Sequence, residues 1–253
     1  MKFVSLGSGS KGNATIVSSG KTNLMIDCGF GIKEASQRLG KVGLDPTKIN
    51  ALLLTHEHSD HVKGAGAFVR RYKTPIWATV GTIRKAKLGE IPALHYINSN
   101  VGSFQIADIK VTPYTIPHDA IEPCQYYFTA NHKKMAILTD VGFITPHIIE
   151  SLQNLNALLL EFNHDIDLLN KGPYPRSLKN RVAGKMGHLN NNQAALLLQE
   201  INHTGLKTLV LGHLSEQNNN PELVLQAIQR IVRSLGVTPH ILGQQKPSEW
   251  FFV

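Results

Sequence analysis

The stretch ALLLTHEHSDHVKGA, residues 51–65, sets four potential metal ligands, His56, His58, Asp60 and His61, directly behind an apolar run. The run "ALLL" has the length and composition of a buried strand. The ligands therefore lie just beyond a strand's carboxyl end, where open α/β folds build their sites. Neutral imidazole and carboxylate together suit Zn²⁺, Mn²⁺ or Fe²⁺. Ligands at positions i, i+2, i+4 and i+5 cannot all converge on one ion without gross strain. The spacing instead predicts two metals, with His56 and His58 on one and Asp60 and His61 on the other.

Each ion then needs further ligands, and other strand ends offer them. "KVTPYTIPH" ends in His118, "KMAILTD" in Asp140 and "TLVLGH" in His213. In each case a single potential ligand closes an apolar strand and precedes a turn.

Around these points short apolar strands alternate with amphipathic helices. "KFVSL", "ATIVS" and "NLMID" read as strands separated by Gly/Ser/Asn turns. "QYYFTA" and "KMAILTD" read as a hairpin joined through "NHKK". "IKEASQRLGKV", "KGAGAFVRRY", residues 82–88, "TPHIIESLQNL", "NNQAALLLQEI" and "PELVLQAIQRIV" read as helices, and residues 171–185 as a long basic loop. Two strand-rich halves, each followed by helices, predict two sheets face to face with helices outside, in a single domain over residues 1–253.

A chain that is 42% hydrophobic and 17% charged has an ordinary globular composition. Its longest apolar runs, at 51–54 and 157–160, are far too short to cross a membrane, so no membrane partner is expected. "MKFVSL" lacks the apolar core of a signal peptide, which predicts a cytoplasmic protein. Cys28 and Cys124 are expected as buried thiols rather than a disulfide. The net charge of +8 favours anionic partners such as phosphates or nucleic acid.

His-x-His-x-Asp-His followed by His, Asp and His at later strand ends resembles the metallo-β-lactamase fold, a four-layer αββα sandwich with a di-metal cleft. The resemblance spans roughly residues 2–242. It implies that His56, His58 and His118 bind one ion, that Asp60, His61 and His213 bind the second, and that Asp140 bridges them. "ALLLEFNHD" (157–165) and "GKMGHLNNNQAA" (184–195) are similar to two motifs of the transfer-RNA 3′-processing members of the fold. That similarity implies Glu161 as the orienting group for His188, a general acid that protonates a leaving oxygen. "LGSGSKGNAT", "THEHSDHVKG", "PHDAIEP" and "GHLSEQNN" complete a pattern that resembles the compact YycJ/WalJ-like branch. Asn191 in "GHLNN" departs from the Ser expected there, and no β-CASP insertion is present.

The function implied is a di-metal phosphodiesterase acting on nucleic acid, DNA or RNA, as a 5′-directed exonuclease linked to DNA repair. A hydroxide generated between two ions, Zn²⁺ or alternatively Mn²⁺, would attack phosphorus, with Asp60 orienting it and His188 protonating the leaving group. Candidate substrate contacts are Lys11 in the Gly/Ser loop, Ser215, His164 (a cleft contact or a turn cap), and Arg181 and Lys185 of the basic loop, where Tyr174 can stack on a base. Arg70, Arg71, Lys73, Arg84, Lys85 and Lys87 read as exposed helix faces, and His95, His132, His147, His203 and His240 as surface residues. The alternatives are a small-molecule hydrolase, either a cyclic phosphodiesterase or a glyoxalase II-like thioesterase, and a non-catalytic metal-binding adaptor.

Overall fold

The two "ALLL" runs become the centres of two sheets. In the computed structural model, which describes residues 1–99, 102–201 and 205–253, Ala51–Leu53 is β4 and Ala157–Glu161 is β11. Each is buried on both faces. Ala51 and Leu53 point into the core between the sheets, and Leu52 and Leu54 point outward into a helix-covered core. Ala157 and Leu159 likewise point inward, with Leu158 and Leu160 outward. Strands covered on both sides carry no polar alternation, which is why both runs are uninterrupted.

The first sheet is built from β1 (Lys2–Gly7), β2 (Ala14–Ser19), β3 (Thr22–Ile26), β4, β5 (Ile76–Thr79) and β6 (Leu94–Ile97), and β14 (Phe251–Phe252) pairs beside β1. The second runs β13 (Pro239–Ile241), β12 (Thr208–Gly212), β11, β10 (Lys133–Leu138), β9 (Cys124–Ala130), β8 (Ile109–Thr115) and β7 (Phe104–Ile106). Each half begins as an antiparallel meander and turns parallel, at β3–β4 in the first sheet and β10–β11 in the second. Parallel neighbours need crossover connections, and these put the helices outside. Helices α1 (Ile32–Lys41), α3 (Ala65–Tyr72) and α4 (Val80–Lys85) cover the first sheet, and α5 (Pro146–Ser151), α8 (Asn191–Glu200) and α9 (Pro221–Leu235) cover the second. The result is the expected αββα sandwich.

Local chemistry agrees with the layers. In α9, Val224, Ile228 and Ile231 recur at helical spacing and pack on the sheet. Its start is capped by the Asn220 side chain with Pro221 in the first turn, and Gly236 ends it in the left-handed region. Asn190 and Gln193 form a reciprocal capping box on α8. Asn131 and His132 both have positive φ, so a two-residue turn closes the β9–β10 hairpin.

Two expectations are corrected. Residues 171–185 are not one loop. After α6 (Ile166–Lys171), Pro173–Pro175 interrupt the chain, and Arg176–Val182 then forms α7, with Pro175 preset for a helix start. The helix expected at 82–88 begins earlier, because the Thr79 side chain at the end of β5 caps it. The ligand stretch itself turns helical at α2 (Ser59–Val62), and β6 and β14, short edge strands, have no counterpart in the sequence reading. Cys28 and Cys124 are buried free thiols, pushed up to about 12 chiefly by burial. His95, His132, His147 and His240 are exposed, and His203 lies outside the described residues.

What seats the ligand stretch is close backbone contact. Asn13 N donates to Asp60 O (2.8 Å), Cys28 N to His61 O (2.7 Å) and Gly64 N to Cys28 O (2.8 Å). A Cβ on Gly29 would stand 1.8 Å from Asp60 O, whereas one on Gly31 would meet nothing within 4 Å. Gly29→Ala is therefore expected to destabilise by about 3 kcal/mol. That corresponds to a Tm loss of roughly 6–12 °C for a chain of this size. Gly31→Ala is expected to leave the thermal melt unchanged, and calorimetry of both variants checks the contrast.

Candidate functional site

The strand ends of both sheets meet at one edge of the sandwich. β8 and β10 flank the antiparallel β9, so their carboxyl ends point the same way. His118 after β8, Asp140 after β10 and His213 after β12 thereby face the loop that follows β4. Asp140 and His213 both have positive φ (57° and 56°), as does Asp27 after β3 (60°). This uncommon conformation for a side-chain-bearing residue turns each strand end back toward the cleft.

All seven candidate ligands are brought together. His56, His58 and His118 offer atoms within 4.8 Å of one another, as do Asp60, His61 and His213, and His56, His61 and Asp140. His61 Nε2 is 3.4 Å from Asp140 Oδ2, and His213 Nε2 is 3.4 Å from Asp140 Oδ1. The first sheet supplies four of the ligands and the second supplies three.

Hydrogen bonds on the far side of each ring select the tautomer. His56 Nδ1 donates to Thr55 Oγ1 (2.9 Å), His61 Nδ1 to Asp27 Oδ2 (2.7 Å) and His118 Nδ1 to the Gly187 carbonyl (3.2 Å). His58 is reversed, its Nε2 donating to the Asp119 carbonyl (3.2 Å). The remaining nitrogens carry lone pairs into the cleft, and His58 Nδ1 and His118 Nε2 lie only 3.2 Å apart. Two facing lone pairs repel unless a cation stands with them. His56 Nε2, His213 Nε2 and Asp140 Oδ2 are buried without a hydrogen-bond partner among the described residues. Each such atom costs about 1–3 kcal/mol if nothing satisfies it. The arrangement fits divalent cations.

The electrostatics agree at His56, His118 and Asp140. Burial, and then neighbouring His61, hold His56 well below its ordinary pKa, and burial lowers His118. Both are thus neutral, the ligand form of imidazole. Burial opposes charge on Asp140, but His213 and His61 outweigh it and keep the carboxylate ionised. Burial also opposes charge on His61, yet Asp140, Asp27 and Asp60 raise it well above its ordinary value, so a cation bound there would have to displace the proton on Nε2.

Glu161 closes β11 fully buried. Its Oε1 accepts from His188 Nδ1 (3.0 Å) and Leu189 N (3.2 Å), and its Oε2 from Val141 N (3.3 Å). His188 Nδ1 lies 3.9 Å from Asp140. Burial works against its charge, but Glu161, through its charge and hydrogen bond, and then Asp140, raise His188 to about 9.

A recess of about 230 Å³ joins these groups, lined by His58, Asp60, Asp140, His188 and His213, with Ser215, Arg181 and Tyr174. The other substrate candidates are placed differently. Lys11 pairs with Glu216 (2.6 Å), and the loop's Gly9, Lys11 and Gly12 N–H groups are engaged within the protein. Lys185 is exposed beside the cleft rather than lining it. His164 is buried, lines no part of the cleft, and is not the cap of α6, which is Asp165.

Several supporting residues escaped the sequence reading. Asp27 also accepts from Thr55 N (2.8 Å) and Thr55 Oγ1 (2.7 Å), so one carboxylate orients both His61 and the start of the ligand loop. Its signal was present, since Asp27 ends the apolar strand "NLMID" as Asp140 ends "KMAILTD". Ser8 Oγ accepts from His213 N (2.8 Å), and Asn13 Nδ2 reaches Asp60 Oδ2 (3.3 Å) and His61 Nε2 (3.1 Å). These contacts are the role of the Gly/Ser loop. Asp119 Oδ2 accepts from Arg181 Nε (2.6 Å), which ties α7 to the His58 side of the cleft.

A model of the family described as the beta-lactamase superfamily domain matches residues 22–214, a span that contains every candidate ligand. The chain belongs to the beta-lactamase superfamily. Within the superfamily it is 33% identical over 239 residues to the exodeoxyribonuclease YycJ of Bacillus anthracis, covering 93% of this chain and 90% of that one. It is 32% identical over 227 residues to the exodeoxyribonuclease WalJ of Streptococcus pneumoniae, covering 88% and 84%. The metallo-beta-lactamase fold protein YhfI from Bacillus subtilis superposes with a TM-score of 0.73 over 98% of both chains, at 16% identity, a likeness of fold.

Two outcomes follow from the geometry. Asp27→Asn should weaken divalent-metal affinity 10–100-fold, the usual effect of losing a group that orients a ligand, as read by competition with a chromogenic chelator. In the metal-free protein, the His188 value of about 9 exceeds its ordinary 6.5. Its stabilisation is then complete below pH 6.5 and lost as pH rises through about 9. The gap in urea midpoint between native protein and His188→Gln should be widest at the acid end of that window and vanish beyond it.

Proposed function

We propose that the chain is a two-metal phosphodiesterase that removes nucleotides from an end of DNA. The observation that carries this reading is His188, held from behind by the buried Glu161 and lining the same recess as His58, Asp60, Asp140 and His213. The exodeoxyribonuclease relatives supply the polymer. His56, His58 and His118 are the residues we assign to one ion, Asp60, His61 and His213 to the other, and Asp140 to both. Imidazole-rich donors favour Zn²⁺, with Mn²⁺ as the alternative. We take residues 1–253 to act as one unit, in the cytoplasm with the cell's DNA.

Such ions, when bound, offset charge on the phosphoryl oxygens and acidify a water. The residues do the rest. Asp60, steadied by Asn13, orients the attacking water. Glu161 holds Nδ1 of His188, so Nε2 is the nitrogen that donates a proton to the leaving oxygen. Glu161 and Asp140 raise His188 to about 9, so the ring carries the proton that a general acid must donate. Arg181, 57% exposed and held among the described residues by Asp119 alone, can turn to a phosphate, while Tyr174 offers a face for a base. Ser215 Oγ, which accepts from Asn218 N (3.2 Å), keeps its own proton for a phosphate oxygen.

Digestion of 5′- and 3′-labelled DNA and RNA, single- and double-stranded, tests the reading. Asp140→Ala should abolish both cleavage and metal retention. His188→Ala should lower kcat by about 10²–10⁴ with the metal content of the protein unchanged. Metal lost in parallel would make His188 a ligand instead. Hydrolysis of bis-p-nitrophenyl phosphate with no cleavage of any polymer would favour the small-substrate alternative.

A further inference from the structure

The turn that carries the ligands is the common wall of two recesses. His58 and Asp60 line the cleft, while Glu57 and Ser59 line a groove of about 410 Å³ on the other side. That groove runs between the α2–α3 segment and the end of α4, and Lys63, Arg70, Lys85 and Lys87 line it. In sequence these cations belong to separate, ordinary helix faces. The fold gathers them because a glycine brings α3 onto the turn after α4: a Cβ on Gly66 would stand 2.0 Å from Leu88 O. Arg70 Nη1 is pinned there by the Leu88 carbonyl (2.6 Å) and the Glu90 carbonyl (3.1 Å).

The side chains of Lys63, Lys85 and Lys87 are exposed and have no ion-pair or hydrogen-bond partner among the described residues. The groove's one acid, Glu57, is half-buried. Its Oε1 accepts from Ile121 N (2.9 Å) and its Oε2 is buried. Four cations thus face one inward-turned carboxylate. Among the described residues no aromatic side chain lines the groove, unlike the cleft with its Tyr174. A surface that is cationic, elongated and free of stacking faces suits phosphates rather than bases.

We propose that this groove is the track for the sugar–phosphate backbone of the nucleic acid beyond the bond being cut, a reading that rests on the nuclease function proposed above. A strand whose scissile phosphate sits at the ligand cluster passes over residues 57–59 and lays its next phosphates along Lys63, Lys85 and Lys87. Recognition on this side is independent of base sequence and sensitive to salt.

The test compares a single-stranded oligonucleotide of roughly 20 nucleotides with a dinucleotide, which is too short to leave the cleft. The groove variant K63A/K85A/K87A is measured beside K207A/R230A/R233A, which removes the same charge from residues lining neither recess. The groove variant should raise KM for the oligonucleotide about 10–100-fold and flatten the log–log salt slope by about 2, from roughly 0.7 per lost cation. Dinucleotide kinetics should stay at the native level, and K63R/K85R/K87R should keep native affinity for both substrates. Equal losses on both substrates, an unchanged salt slope, or the same loss in the control variant would each overturn the track. Native protein that cleaves the oligonucleotide while the groove variant behaves identically sinks the track alone. Native protein that cleaves neither substrate sinks the nuclease reading, and the track with it.

Discussion

Every other feature of this molecule depends on one electrostatic constraint, the convergence of lone pairs in a space that water barely reaches. His56, His61, Asp140 and His213 are buried, and atoms of three of them have no hydrogen-bond partner among the described residues. A domain's net stability is only about 5–15 kcal/mol. Several unsatisfied buried atoms at about 1–3 kcal/mol each would consume much of it. The surrounding hydrogen bonds do not relieve this strain. They fix it in place, turning each ring so that its free nitrogen faces inward. Asp27, Thr55 and the carbonyls of Gly187 and Asp119 are therefore as much a part of the site as the ligands.

The scaffold follows from that need. Lone pairs can be aimed at one point only by rigid elements, and the carboxyl ends of strands buried on both faces are the most rigid available. The continuous apolar runs secure those strands between two helix layers, and the left-handed residues Asp27, Asp140 and His213 turn the chain at the rim. Where the rim must approach another backbone, as at Gly29 against Asp60, no side chain is tolerated.

Much of this was legible in the sequence because it is local. The spacing of His56, His58, Asp60 and His61, and the single ligands His118, Asp140 and His213 at strand ends, are properties of short segments. What was not legible depends on partners distant in the chain. Asp27 looks like any strand-ending acid until His61 is placed beside it. The strands β6 and β14 exist only through pairing with neighbours already in place, and α7 follows a proline cluster that suggested a loop. His164, read as a cleft or cap residue, is buried instead. Lys63 lies between α2 and α3 while Lys85 and Lys87 lie at and beyond the end of α4, and the α3 contact at Gly66 makes them one surface.

The division of ligands between the sheets, four from the first and three from the second, has a consequence for assembly. The first sheet holds Asp27 against His61, yet it carries only two of the four residues we assign to each ion. The second sheet carries His118, Asp140 and His213 and is equally incomplete. Ions shared by both halves contribute their binding energy to the docking of one sheet on the other, and to neither sheet alone. With ions held as we propose, chelation would be felt first at the seam of the sandwich, where the two sets of ligands meet.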